Sequence, residues 1–333
     1  MQNKEVLIRA EGVKKYFPFS EGFKTKYVKA VDNISMDIYR GETIGLVGES
    51  GCGKSTFGRC VLRLFDITEG KISFEEKDLY AMKPRELIRQ RRHMQLIFQD
   101  PLASLNPRLT IRQIVEEPLH FHRDQMDFDV SDKQKVRDVV DRTLKAVGLD
   151  PEVAERYPHE FSGGQQQRVG IARALVLKPD FIVCDEAVSA LDVSVQAQVL
   201  NLLNELKEEY NLTYMFISHN LSVIKHICDR IAVMYLGQVV ELADTETLFK
   251  NPMHPYTRAL ISAIPIPDPE KKRNRILLEG DIPSPMNPPS GCRFHTRCFE
   301  CGEKCDSSQP QMTEVEPGHF VACHQFCERE QHL

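Results

Sequence analysis

At 333 residues, with a formal net charge of −5 and 27% charged residues in mixed order, the chain has room for one large domain and a smaller one. It carries no long basic block, which argues against nucleic acid as a partner. No run of ~18 apolar residues occurs and no apolar segment follows Met1-Gln2-Asn3-Lys4-Glu5, so neither a spanning helix nor a signal peptide is predicted.

The expected compartment is the cytosol, where ten cysteines point to a metal site or buried thiols rather than disulfides. From Val6 to Asp37 the alternation is that of strands. Leu7-Ile8-Arg9-Ala10 and Val28-Lys29-Ala30-Val31 read as an antiparallel edge, separated by a loop rich in Phe, Gly, Ser and Lys. Aromatics in such a segment fill core or plug loops, and Tyr16 or Phe17 is also placed to stack on an adenine ring.

Thr43 to Val47 reads as a buried strand and Thr56 to Leu64 carries helical spacing. Between them lies Gly48-Glu49-Ser50-Gly51-Cys52-Gly53-Lys54-Ser55-Thr56, a phosphate-binding loop in its required strand-to-helix setting. Glycines let the backbone approach phosphates, amides and a helix N-terminus favour an anion, Lys54 adds a charge, and Ser55 can place its hydroxyl on Mg²⁺. A dinucleotide fingerprint fails because its third glycine position is Thr56.

Further on, a short strand near Lys71 to Phe74, a charged helix from Pro84 to Arg92 and a strand from Met94 to Phe98 lead to Gln99. A polar loop, Asp100 to Pro107, gives way to helical periodicity over Thr110 to His122 and Ser131 to Val147. Residues 101–178 therefore read as an all-helical insertion. It ends at Phe161-Ser162-Gly163-Gly164-Gln165, where Ser162 caps a helix running to about Leu177 and creates a second anion-seeking N-terminus.

Phe181 to Cys184 is an apolar run suited to a doubly covered parallel strand, ending in Asp185-Glu186. A helix from Val193 to Tyr210 leads to the strand Thr213 to Ile217, which delivers Ser218-His219. Ligands of open parallel sheets bind outside such strand ends. Strands Arg230 to Tyr235 and Gln238 to Leu242 follow, joined by Leu236-Gly237. Prolines then accumulate and no sheet-length apolar pattern continues, which places a boundary near Asn251 and divides the chain into 1–251 and 252–333. No internal repeat is found.

Nucleotide hydrolysis needs a phosphate cradle, a metal, a water-orienting group and stabilisation of the transferred phosphoryl. Asp185 with Ser55 is suited to Mg²⁺, and Glu186 to the attacking water. Gln99 and His219 are placed to meet the metal, the water or the γ-phosphate. In this order the residues resemble the ABC ATPases: Walker A from Gly48 to Thr56, Q-loop Gln99, signature Phe161 to Gln165, Walker B Phe181 to Asp185 followed by Glu186, D-loop Ser189-Ala190-Leu191-Asp192 and switch His219. The one departure is Phe161 in place of the usual Leu.

The resemblance covers about residues 5 to 250. It implies an α/β P-loop fold with an antiparallel β subdomain and a helical subdomain, and a head-to-tail dimer holding each ATP between one chain's P-loop and the other's signature. A soluble ABC ATPase acting on DNA or ribosomes would carry two cassettes, a long coiled coil or a basic face. A P-loop kinase or GTPase leaves Ser162-Gly163-Gly164 and His219 unexplained.

Arg156 to Gly164, Asp100 to Arg108 and His254-Pro255-Tyr256-Thr257 narrow the likeness to the ATP-binding subunits of bacterial oligopeptide and dipeptide importers. Relatives of that group also carry nickel or other small solutes. The likeness implies a peripheral ATPase on the inner face of the membrane, working with two permeases, a second related ATPase subunit and an external peptide-binding protein. A heterodimer of ATPases is implied, with a homodimer as the alternative.

Six of the ten cysteines follow residue 291. Cys292, Cys298, Cys305 and Cys323, with Cys301 and Cys327 nearby, can hold an iron-sulfur cluster or a tetrahedral zinc. Zinc sites pair cysteines more closely, and the wider spacing suits a larger cluster. The resemblance, through Gly291 to His295 and Val321 to His324, implies a 4Fe-4S cluster on those four in a small C-terminal module.

Overall fold

The computed structural model describes residues 5–21, 24–265 and 275–327. Residues 266–274 of the proline-rich stretch and the side chain of Cys327 lie outside the described residues. The chain forms two compact units. One takes the described residues of Met1–Glu5, Tyr39–Glu42 and Ala81–Ile217, the other those of Val6–Ile38, Thr43–Tyr80 and Ser218–Leu333.

The first unit is built on parallel strands, with Phe181–Asp185 paired to Met94–Ile97 on one side and Thr213–Ile217 on the other. Every residue of Phe181–Asp185 and Thr213–Ile217 is buried, as an apolar run covered on both faces requires. Asp180 fixes the entry to the central strand. Its carboxylate meets His93 Nδ1 at 2.7 Å and Arg40 at 3.0 Å, and the bond to His93 holds its pKa below the usual range.

The expected helical insertion comprises Pro101–Ser104, Ile111–Phe121, Lys133–Ala146 and Gly163–Leu175, with short 3₁₀ turns between. Thr110 and Gln113 form a capping box, and Asp132 caps the following helix through the amides of Gln134 and Lys135. Ile111, Ile114, Val115 and Leu119 face Val136, Val140 and Leu144 at helical spacing, so one buried stripe joins the helices. Truncating a residue such as Leu144 to alanine costs about 2–5 kcal/mol at sites of this kind.

The second unit holds two sheets. In the first the order is Lys24–Tyr39, Val6–Glu21, Glu69–Phe74, Lys77–Asp78. The sequence predicts a loop inside this region, but both long strands run through it. Non-local pairing extends them: Ile8 opposes Phe74 and Lys14 opposes Glu69, with a bulge near Gly12, whose φ of 57° a side chain would resist.

In the second sheet Thr43–Val47 runs parallel to Arg230–Tyr235, which turns through Leu236 and Gly237, both at positive φ, into Gln238–Asp244. Two positive-φ residues match the twist of a tight hairpin. The tail then contributes strands where none is predicted, Thr313–Glu316 and His319–Val321, the latter opposing Glu241 and Leu242. Runs of four and three residues carry too little period to be read. The edge they pair with supplies their order.

Buried Glu241 anchors this tail. Its carboxylate accepts the amides of Met253 at 2.8 Å and His254 at 3.0 Å and meets His319 Nε2 at 2.8 Å. Such a group is tolerable inside only when its oxygens are satisfied. His254 in turn caps Pro255–Ser262 by accepting the Tyr256 amide on Nδ1, and burial pushes its imidazole pKa down to about 4.

With His254 neutral in the folded chain, the unfolded chain binds an extra proton below its ordinary value of 6.5. Stability is therefore lost as pH falls from there toward 4. His254→Asn, which keeps a capping group, should show a shallower decline in denaturant midpoint between pH 7 and 4.5 than the wild-type chain. Identical slopes would remove His254 as the cause.

Candidate nucleotide-binding site

In the second unit the fully buried strand Thr43–Val47 delivers the phosphate loop to the helix Lys54–Val61. Gly53 stands at the helix start with φ 104°, and a Cβ there would lie 2.0 Å from the Ala30 carbonyl oxygen, so no larger residue fits. It offers no side-chain cap, which leaves the first amides of the helix to an anion. Buried Lys54 arches over the loop, donating to the carbonyls of Gly48 at 2.8 Å and Glu49 at 3.0 Å.

Cys52 is buried, and burial pushes its thiol pKa up. Its carbonyl accepts the Gly237 amide at 2.8 Å, tying the loop to the hairpin turn. Ser50 and Gly51 are exposed, whereas Ser55 and Thr56 are half-buried on the first turn of the helix.

Of the two aromatics, half-buried Tyr16 donates its hydroxyl to the Asp32 carboxylate. Phe17 meets Phe65 edge to face at 5.6 Å with the Lys15 ammonium 4.8 Å from its ring centre. His219 is exposed on the turn Ser218–Asn220, where the Asn220 amide donates to Ser218 Oγ at 3.0 Å.

In the first unit two candidates named separately from sequence prove to be bonded: Gln99 Nε2 donates to Glu186 Oε2 at 2.8 Å. Glu186 holds φ 50°, an uncommon region for a side-chain-bearing residue, and its amide donates to Ile217 at 3.0 Å. Ser189 closes the turn by donating both its amide and its hydroxyl to the Glu186 carbonyl, each at 3.0 Å. Strained backbone of this kind persists where its surroundings over-determine it, often at functional positions. Asp185, one residue earlier, ends the strand buried.

Ser162 and Gln165 form a reciprocal capping box at the start of Gly163–Leu175, leaving Ser162, Gly163 and Gln165 on the surface. Gly164 is required by close packing: a Cβ would lie 2.4 Å from Val195 Cγ1, on the helix that Asp192 caps. Phe161 is buried, as a packing residue in the Leu position should be, and Gln166 donates to its carbonyl at 3.1 Å.

Cys292, Cys298 and Cys305 are half-buried, Cys323 is buried and Cys301 exposed. The Cys292 amide donates to the Cys305 carbonyl at 2.8 Å. Cys323 lies within electrostatic reach of Cys292, Cys298 and Cys305, and burial pushes its thiol up to about 12 and that of Cys298 up to about 11. Among the described residues no three His, Cys, Asp or Glu side chains converge on one metal ion.

Sequence reasoning passed over Asp32, Tyr256, Arg293 and Arg297 as parts of this site. All four bond to residues of the phosphate loop or to Tyr16, directly or through one another, and the partners of Tyr256 and Arg297 lie more than 200 positions away. No local pattern signals such contacts.

The sequence matches the family described as ABC transporter over residues 31–189, and the oligopeptide/dipeptide transporter C-terminal region over residues 240–305. YkfD of Bacillus subtilis is 56% identical, covering 91% of each chain. The oligopeptide transport ATP-binding protein AppF of the same organism is 51% identical over 97% of this chain and 98% of its own. The oligopeptide transport ATP-binding protein OppF of Salmonella typhimurium is also 51% identical, over 97% of each. Among solved structures, the ATP-binding cassette MJ0796, a dimer in a post-hydrolysis state bound to ADP and Pi, superposes with a TM-score of 0.62 at 30% identity, over 72% of this chain and 99% of that one. With phosphate loop, signature and strand-end carboxylates in the cassette order and the similarity extending through the tail, the chain belongs to the ABC transporter ATP-binding subunits of the oligopeptide/dipeptide importer family.

Proposed function

We propose that this chain is the ATP-hydrolysing subunit that energises import of di- or oligopeptides through an ABC transporter. One observation carries the reading: similarity to oligopeptide transport ATP-binding proteins runs through cassette and C-terminal region alike, at 51% identity over 97% of the chain. Residues 1–251 form the nucleotide-binding domain, with 101–178 as its helical part, and 252–333 the transporter-type C-terminal domain.

The chain binds ATP with Mg²⁺. Gly48 to Thr56 cradle the phosphates, Lys54 neutralises their charge, and Ser55, Asp185 and Gln99 serve the metal. Glu186 orients or deprotonates the attacking water, a role supported by the Gln99 amide on its carboxylate and by its strained backbone. His219 contacts the γ-phosphate. Ser162 to Gln165 offer their exposed helix start to the nucleotide of a second ATPase subunit, and Tyr16 or Phe17 takes the adenine.

Among the described residues no helix is long and apolar enough to cross a membrane. The pore then comes from two permease subunits, with this chain peripheral on their cytoplasmic side and a peptide-binding protein outside. Residues Gln99 to Arg108 and Tyr157 to Glu160 are the permease-facing segments. Tyr157, 41% exposed, gives the second segment an apolar anchor.

Cys292, Cys298, Cys305 and Cys323 hold a 4Fe-4S cluster. The electrostatic reach of Cys323 to Cys292, Cys298 and Cys305 supports the grouping of the four, and their wide spacing in the chain suits a cluster. The bound group would organise a tail that has little apolar core of its own, Met253, Val321 and Cys323 with Val315 and Phe326.

Glu186→Gln should bind MgATP as the wild-type chain does but lose about 10²–10⁴-fold in turnover, whereas Lys54→Ala should lose binding itself. Near-normal steady-state hydrolysis by Glu186→Gln in the assembled transporter would refute its role. A tagged chain should copurify with two permeases, and cysteines placed in residues 99–108 or 157–160 should crosslink to permease cytoplasmic loops. Failure across the whole set would remove the proposed contact. Anaerobic preparations should be brown with about four irons per chain, and stoichiometric zinc without iron would exclude the cluster.

A further inference from the structure

Glu49, the second residue of the phosphate loop, has every polar group of its main chain and side chain engaged. Its carbonyl accepts from Lys54 at 3.0 Å, and its amide donates to the Tyr256 hydroxyl at 2.9 Å. Its carboxylate receives both terminal nitrogens of Arg297, at 2.8 and 3.1 Å. The Arg297 side chain is only 7% exposed, so this bidentate pair is shielded from the solvent screening that weakens surface ion pairs.

Buried Tyr256 is locked among Tyr235 and Phe294, with ring centres at 4.8 and 5.3 Å. On the adenine side the Arg293 guanidinium, nearly buried, donates to the Asp32 carboxylate and to the Leu236 carbonyl, and the same Asp32 carboxylate accepts the hydroxyl of Tyr16.

These arginines sit at telling places in the chain. Arg293 directly follows Cys292, Arg297 directly precedes Cys298, and fully buried Phe294 holds the link between them. The chain thus ties Cys298 to the arginine bonded to the phosphate loop and Cys292 to the arginine bonded to the partner of Tyr16. Amides bind an anion well only when their loop is held in place before the anion arrives.

We propose that the cysteine-rich C-terminal region is a positioning element for the nucleotide site, with Arg297 and Tyr256 setting the phosphate loop through Glu49 and Arg293 setting Tyr16 through Asp32, so that the state of the cysteines governs ATP affinity. This rests on the reading of Gly48 to Thr56 as the ATP cradle and, for Arg293, on Tyr16 rather than Phe17 taking the adenine. A tail merely anchored to the cassette would lower stability when loosened, without a selective change in nucleotide affinity.

The test uses the full chain purified anaerobically, with MgATP affinity measured by displacement of a fluorescent ATP analogue alongside unfolding midpoints and steady-state kinetics. Arg297→Ala should weaken MgATP about tenfold, as loss of a charge-assisted bidentate contact implies, raising KM while leaving kcat at saturation. Arg297→Lys should recover part of the loss. Glu49→Gln should weaken binding similarly and add little to Arg297→Ala, since both remove one interaction. Cys298→Ser should weaken MgATP in the wild-type background and have no further effect on Arg297→Ala.

Unchanged affinity in Glu49→Gln, or equal effects of Cys298→Ser with and without Arg297, would overturn the proposal. So would a shift in unfolding midpoint alone. Should Arg297→Ala fail to fold, Glu49→Gln and Cys298→Ser decide. The underlying reading fails separately: it falls if the wild-type chain does not bind MgATP or if Lys54→Ala binds equally well.

Discussion

A loop of main-chain amides can hold phosphate only if something other than the phosphate fixes its shape, and much of the second unit meets that constraint. A fully buried strand enters the loop, a helix leaves it, and Gly53 lies too close to the Ala30 carbonyl for any other residue. Lys54 spans the loop from inside, the Leu236-Gly237 hairpin turn ties it through Cys52, and Tyr256 and Arg297 grip Glu49 from the far end of the chain. Pre-organisation of this kind places the cost of ordering in folding rather than in ligand capture.

The first unit solves a different problem, fixing a carboxylate beside a buried acid. Parallel pairing of Phe181–Asp185 with its neighbours buries Asp185 at the strand end, and the turn that follows forces Glu186 into left-handed backbone. Its side chain is then held by the amide of Gln99, which follows the adjacent strand. Gln99 itself directly follows the exposed aromatic Phe98 and leads into the helical insertion.

Much of this was legible because it is local. Ser162 with Gln165 and Thr110 with Gln113 are capping boxes three residues apart, and the apolar runs at Thr43, Phe181 and Thr213 became the buried strands they suggest. What escaped depends on distant pairing. The strand His319–Val321 takes its order from the edge at Glu241 and Leu242 and passes it to Thr313–Glu316, and the start of the predicted loop, at Glu11 and Lys14, is drawn into a strand by Lys71 and Glu69, more than 50 residues away. The bond between Arg297 and Glu49 spans 248 positions, with no composition or period to announce it.

ATP hydrolysis by this chain energises peptide entry. The most direct measurement is uptake of a labelled short peptide by cells lacking the chain and by the same cells supplied with it. Uptake should be lost with the chain, return with the wild-type form and stay absent with Glu186→Gln. Peptide uptake that persists without the chain, at the wild-type rate and with no other peptide importer present, would contradict it.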